Sequence, residues 1–308
     1  MADAFNTTTS HSEFVPERWM DEVILAATDH TANAFMANAV QLPPAAGKGR
    51  GDIYHFPIQS RVNMSDITEG TALEYNQFSA DEKTLTINQY KGVVAHASQL
   101  LTAQSEYNVF SPLAMQIGFN AGVNIDTSLG ALHASAGETV TGTTAANITD
   151  ANVREAARKL DIARCPRQGR WMVVSPTQMD ALAAISTFSH ADRIGTASGP
   201  IREGVVGRIR GFDVYMGHNP TATTDGFQHC MAGVTVPGNP YMSSLVWAPG
   251  DRPPLVSNTL SADVQALGLR TTFDYDTKNT GDAIGGSQIY GVTMVRTEWT
   301  VDIKVTDN

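Results

Sequence analysis

The sequence predicts an α+β fold, and three observations carry that prediction. Residues 171–216 run as an apolar strand, a capped helix, a glycine-containing loop and a second strand. Leu113, Ile117, Ala121, Ile125, Leu129 and Leu132 keep helical spacing through the longest periodic run of the chain. Tyr54, Phe56 and Ile58, then Leu85 and Ile87, and finally Val295 to Val305, alternate with other residues as half-exposed strands do.

Taken in order, residues 1–14 are rich in Thr, Ser and Asn and read as a flexible arm. Pro16 suits the first turn of a helix, with Glu17, Asp21 and Glu22 near its positive end. Trp19, Met20, Val23, Ile24 and Ala27 form its apolar stripe, and Phe35, Met36, Ala39 and Val40 continue it after a break. Leu42-Pro43-Pro44 stops it, and Gly47 to Gly51 reads as a hinge. The strands at 54–58 and 85–87 bracket a polar, acidic segment with Gly70 near its middle, which predicts an extended hairpin. Alone in water such a hairpin is marginal, so it needs something to pack on.

Residues 93–107 are expected to be helical, anchored by Leu100 and Leu101. Ser111-Pro112 then opens the long helix, which would run ~23 residues and ~34 Å. Gly118, Gly122 and Gly130 inside it imply close packing against a neighbour, since each costs about 1 kcal/mol relative to Ala. Asp150 is expected to cap a third helix carrying Val153, Ala156, Ala157 and Leu160, with Glu155 and Lys159 paired on its surface. Ser175-Pro176 follows the run Trp171–Val174 and is a cap with a proline at the first helical position. The phase slip at Gly211 marks a bulge or tight turn. Residues 221–286 read as loop-rich around a short strand at Leu245–Trp247, and Val295–Val305 as one long strand with a buried and a wet face.

The 308 residues, 42% hydrophobic and 17% charged, allow one large or two moderate globular domains. The formal charge is -10, from 31 acidic and 21 basic residues. That argues against holding nucleic acid by neutralising phosphates, but not against enclosing it. Two distant cysteines, Cys165 and Cys230, exclude a disulfide framework and leave one bridge open. The N-terminus has no apolar core of a signal peptide, and no run approaches the ~20 apolar residues of a membrane span.

No stretch carries a catalytic, cofactor-binding or metal signature. His96, His133 and His229 lack metal spacing and read as ordinary core or surface residues. Ala46-Gly-Lys-Gly-Arg lacks the Ser or Thr of a phosphate loop, and no Gly-x-Ser-x-Gly elbow occurs. Asp274, Asp276 and Asp282 fit a solvated turn better than a calcium loop. Arg193, Arg202, Arg208 and Arg210 form a basic cluster, either a wet surface or a contact between subunits, since Arg is enriched at interfaces. Lys83 and Lys91 read as edge charges that keep a strand soluble, with Lys83 also a candidate contact of the same kind. Glu69 at the hairpin tip and Trp19 on the arm are further contact candidates.

The order of these elements resembles the Hong Kong 97-type fold of tailed-bacteriophage major capsid proteins. Phe14-Val-Pro-Glu-Arg-Trp19 to Val40 looks like their N-terminal arm, and Gly51 to Lys91, with Thr68-Glu-Gly70 at its tip, like their extended loop. Phe119 to Asp126 with Leu129 and Leu132 is similar to the end of the spine helix, and Arg170 to Met179 with Gly207 to Val214 to the axial domain. The resemblance implies an arm at 1–48, an extended loop at 49–92 and a peripheral domain with the spine helix at 93–145. It further implies an axial domain at 146–270, and return strands to the peripheral domain at 271–308. It implies no enzyme and no cofactor. The expected function is self-assembly into pentamers and hexamers that close an icosahedral shell around double-stranded DNA, in the virion, after assembly in the host cytoplasm. Expected partners are further copies, a portal, a decoration protein in some shells, and a separate scaffolding protein, since no ~100-residue segment precedes the arm. The crosslinking motif of some relatives has no match, so the shell is expected to be non-covalent. An encapsulin-like compartment and a tail or decoration protein are the alternatives.

Overall fold

The computed structural model describes residues 33–43, 52–59, 64, 66, 69–70, 80–104, 110–141, 147–185, 207–218, 227–250, 260–264 and 267–305. The chain enters through a short helix, α1 (Ala34–Asn38), whose Phe35 meets the Trp171 ring edge-on at 6.5 Å between centroids. Strand β1 (Val40–Gln41) follows. The expected hairpin is present as β2 (Ile53–Gln59) and β3 (Ala80–Thr86), antiparallel from Ile53↔Thr86 to Gln59↔Ala80. Its base is docked by Phe56 and Leu85, which pack with Leu42, Val246, Ala248 and Val295.

Residues 93–107 depart from expectation. They begin in a strand, β4 (Gln89–Ser98), and only Gln99–Gln104 forms a helix, α2. Leu100 and Leu101 are 67% and 50% exposed and are not core anchors among the described residues. The β-branched pair Val93-Val94 and a ten-residue ladder on a later strand, from Ser98↔Gly281 to Gln89↔Tyr290, outweigh the local helical pattern.

The long helix, α3 (Phe110–Gly130), runs into a 3-10 turn at Ala131–Ser135. Ala114, Ile117, Ala121, Ile125 and Leu129 are buried along it, and so are Gly118, Gly122 and Gly130. Asp126 is wholly buried as well, and its Oδ1 accepts from the Met36 N–H of α1 at 2.9 Å. After β5 (Glu138–Thr141) comes α4 (Asp150–Ile162). Its cap is Thr149, not Asp150, with the Thr149 hydroxyl accepting from Asn152 N–H. Glu155 pairs with Arg158 at 2.6 Å, while Lys159 crosses to Glu138 at 2.9 Å and the Thr139 carbonyl at 2.8 Å. The intrahelical Glu155–Lys159 pair is therefore not made.

Strand β6 (Arg170–Val174) leads into α5 (Pro176–Ala184), capped by Ser175 with Pro176 at its start, as the sequence predicts. Then come β7 (Arg208–Ile209), β8 (Phe212–Met216), β9 (Gln228–Val234) and β10 (Leu245–Pro249). They are followed by β11 (Leu260–Val264), β12 (Leu269–Asp276) and β13 (Gly281–Met294). The stretch read as loop-rich thus holds five strands. Two of the glycines of β13 answer to close neighbours, not turns: a Cβ at Gly286 would stand 2.5 Å from Ile117 of α3, and one at Gly291 2.4 Å from the Thr86 carbonyl. Asp276 sits at the turn between β12 and β13, accepting from Lys278 N–H at 2.9 Å.

The closing alternation is also broken. Thr297–Trp299 is a 3-10 turn, and only Val301–Val305, β14, is strand. Strand β14 lies between β5 and β9, with both faces covered.

The strands form two sheets besides the hairpin. One runs β1-β10-β13-β12-β11, with β4 also on β13; the other runs β5-β14-β9-β6-β8-β7. Alternate residues of β6 serve different cores. Trp171 and Val173 join the core beneath α3, whereas Met172 and Val174 pack with α4 and α5. A strand buried on both faces carries no polar alternation, which is why Trp171–Val174 is a plain apolar run.

Candidate assembly surfaces

Of the basic cluster, Arg208 and Arg210 stand at one turn. Arg210 and Gly211, with φ of 51° and 92°, make the two-residue connection between β7 and β8. Arg210 grips Asp150 bidentately, Nε to Oδ1 and Nη2 to Oδ2 at 3.0 Å each, and Arg154 adds a third contact at 3.2 Å. These cations sit on a carboxylate in the first turn of α4, so the Arg210 guanidinium is engaged inside its own subunit. Arg208 is freer: its side chain is 57% exposed, 3.5 Å from Asp213. Arg193, Arg202 and Trp19 lie outside the described residues.

Glu69 is exposed at a turn where Gly70 has φ of 87°. Lys83 is half-buried on β3 opposite Phe56. On the same ribbon the His55 ring faces the Glu82 carboxylate, and Phe56 meets Tyr241 edge-on at 5.8 Å. Tyr90 and Val94 of β4 are 73% and 74% exposed, adding apolar surface beyond the hairpin base.

A groove of about 410 Å³ opens where β4 passes α3 and β13, lined by Lys91, Val93, Asn120, Asn124 and Gln288 over Gly92 and Gly286. Lys91 Nζ donates to Asn124 Oδ1 at 3.1 Å and lies 5.9 Å from the centre of the Tyr290 ring. Gln288 is 2% exposed, and its Nε2 donates to the carbonyls of Ala121 and Leu267 at 3.1 and 3.3 Å. Its Oε1 accepts nothing.

The histidines read as ordinary include a buried joint. His133 and His229 stack with centroids 3.9 Å apart, and His229 Nδ1 donates to Asp302 Oδ2 at 2.8 Å. Burial pushes the Asp302 carboxyl above its usual range, against the opposing pull of His229. Arg170, 3% exposed, donates to the carbonyls of Pro166 and Cys165 and to Asp161, and that last bond holds the Asp161 carboxyl below its ordinary value. Burial pushes the Cys165 thiol up to about 11, and Cys165 and Cys230 are buried and form no disulfide with each other. Among the described residues no group of three or more His, Cys, Asp or Glu is placed to hold a metal ion. Sequence reasoning missed Gln288 and the His229–Asp302 pair, which strand register and distant packing make and which leave no local motif; it also missed the role of Arg170, whose partners lie only four to nine positions away.

The arrangement of two sheets, a long helix packed on one of them and a docked hairpin is a Hong Kong 97-type fold, similar to that of solved phage capsid structures. A solved structure from Mycobacterium phage Che8 is similar with a TM-score of 0.68 at 19% identity, over 87% of this chain and 90% of that one. The capsid of cyanophage P-SCSP1u is similar with a TM-score of 0.67 at 16% identity, over 90% and 89% of the two chains. The mature capsid of bacteriophage PhiM1 follows at 0.65 and 16%, over 89% and 87%. No family model and no curated protein matches the sequence.

Proposed function

We propose that this chain is a major capsid subunit that assembles through pentamers and hexamers into a closed icosahedral shell around double-stranded DNA. One observation carries the reading: the likeness to phage capsid structures spans about nine-tenths of this chain and of those chains, not one shared module. The hairpin adds a physical reason, since a two-stranded ribbon is marginal alone and gains stability from packing on a neighbouring copy. The net charge of -10 suits a container that encloses DNA without gripping it.

On this reading the subunit works with a separate scaffolding protein and a portal, takes a decoration protein in some shells, and ends in the virion after assembly in the host cytoplasm. Arg193, Arg202, Arg208, Arg210, Glu69, Lys83 and Trp19 are its candidate contacts between subunits. Expression of the chain alone and with a candidate scaffolding protein, followed by negative-stain microscopy and sedimentation, tests it. Closed shells support the proposal. Persistent monomers, or open rings or trimers alone, overturn it, and shells filled with protein cargo instead of DNA during infection point to a nanocompartment.

A further inference from the structure

Two stacked imidazoles join the C-terminal end of α3 to the second sheet. His133 stands in the 3-10 turn Ala131–Ser135 that continues α3, and His229 stands on β9. Both are buried, 9% and 4% exposed, with ring centroids 3.9 Å apart and planes 26° from parallel. His229 Nδ1 donates to Asp302 Oδ2 of β14 at 2.8 Å, whereas His133 Nδ1 lies 3.1 Å from the Gly130 carbonyl, in its own turn. Two rings thus meet beside one bonded carboxylate. Strand register adds a cation to the same face: Lys304 of β14 stands opposite His229, its Nζ 5.9 Å from the centre of the Phe227 ring. From β5, Thr139 and Thr141 oppose Asp302 and Lys304 and carry no charge. On α3 the Asp126 carboxylate accepts from Met36 N–H, and on β13 the Tyr290 hydroxyl donates to the Asn124 carbonyl. In the turn before β14, Glu298 pairs with Arg296 at 3.2 Å.

Histidine changes charge between about pH 8 and pH 5, and a buried charge needs a partner. With one ring protonated, Asp302 balances it. With both protonated, two like charges face each other 3.9 Å apart, and Lys304 adds a third on the same face. Only parting the rings lets water relieve that repulsion. We propose that the His133–His229 stack is a proton-operated joint, closed at neutral pH and opened in acid when the second imidazole takes its proton. Opening binds one more proton, so the opened fraction grows by up to about tenfold per pH unit as pH falls. The packing shows what opening would loosen. Buried residues of α3 belong to one core, whereas Val301, Ile303 and Val305 of β14 belong to the core with α4 and α5. The stack therefore couples the long helix to the second sheet. The device belongs to the single subunit and does not depend on shell assembly.

Hydrogen exchange of unassembled subunits at pH 7.5 and pH 5.0, corrected for the intrinsic rate at each pH, tests the joint. Protection of residues 131–137 and 228–233 should fall at least tenfold from pH 7.5 to pH 5.0, while that of α4 stays the same. His133→Phe keeps a stacked ring without a charge, and His229→Gln keeps a donor for Asp302 without one. Each should hold its protection at both pH values. An NMR titration of the imidazoles in the wild type needs no variant. The two rings should titrate in coupled steps more than one pH unit apart, the second coinciding with the loss of protection. Wild-type protection that is equal at both pH values, or that falls as far in both variants, overturns the joint. Imidazoles that titrate independently overturn it as well. A wild type without the transition that still closes shells removes the joint and leaves the capsid reading intact. The transition in subunits that never close a shell keeps the joint and removes the capsid function.

Discussion

Asp302 is the residue on which burial and charge oppose each other most directly. It is 2% exposed, one oxygen accepts from His229 and the other, Oδ1, has no hydrogen-bond partner among the described residues. Burial raises its pKa in the folded protein above the unfolded value of about 3.9. The native state therefore holds this proton more tightly, and the stability it contributes is fully present below pH ~3.9 and lost as pH rises through the raised value. Asp302→Asn keeps an acceptor for His229 and removes the titration. Its unfolding free energy relative to wild type should become more favourable between pH 4 and pH 7, read from urea unfolding at each pH. A constant difference would mean that Asp302 is not perturbed. Asp302→Ala, which also removes the acceptor, should cost about 1.5–3 kcal/mol at pH 7 by the same measurement. None of this was legible in the sequence, because His229 and Asp302 are 73 positions apart and meet only through the register of β9 and β14. Ser175-Pro176 shows the opposite case. A cap is made by residues three apart, so the start of α5 was readable from four letters.

The same contrast holds between elements. The long helix was legible because one face is covered and the periodicity survives, whereas β6 and β9 are covered on both faces and show no alternation. The strand β13 was hidden for another reason: its glycines look like turn residues but make room for neighbours. Gly286 is the sharpest instance, since a Cβ there meets Ile117 of α3 at 2.5 Å. Gly286→Ala should cost about 1–3 kcal/mol by overpacking the helix–sheet contact. Ile117→Ala removes the atom in the way, at its own cost of about 2–5 kcal/mol. In the double variant the two losses should fall short of their sum by about 0.5–3 kcal/mol, measured by denaturant unfolding of all four proteins. Additivity would show that the glycine serves strand geometry and not the approach of α3.

At the scale of the whole molecule, the order of elements was more legible than the surfaces that join copies. Fold order leaves a trace in every element, while a contact depends on which side chains the fold leaves unspent. Arg210 illustrates this. In sequence it stands beside Arg208 as an equal, but the fold spends its guanidinium on Asp150 at the start of α4. Arg210→Glu would set two carboxylates against each other within the subunit, so a loss of shells in that variant would mix damaged folding with damaged assembly. Arg208 separates the two. Its pairing with Asp213 is exposed on both sides and contributes about 0–1 kcal/mol at most. Arg208→Glu should therefore leave the unfolding midpoint of the subunit nearly where it is. If the β7–β8 turn meets a neighbouring copy, the same variant should lower the yield of closed shells at least tenfold by sedimentation and raise its sensitivity to salt. Shell formation at the wild-type level would take this turn out of the contacts between subunits and leave Arg208 as solvated surface.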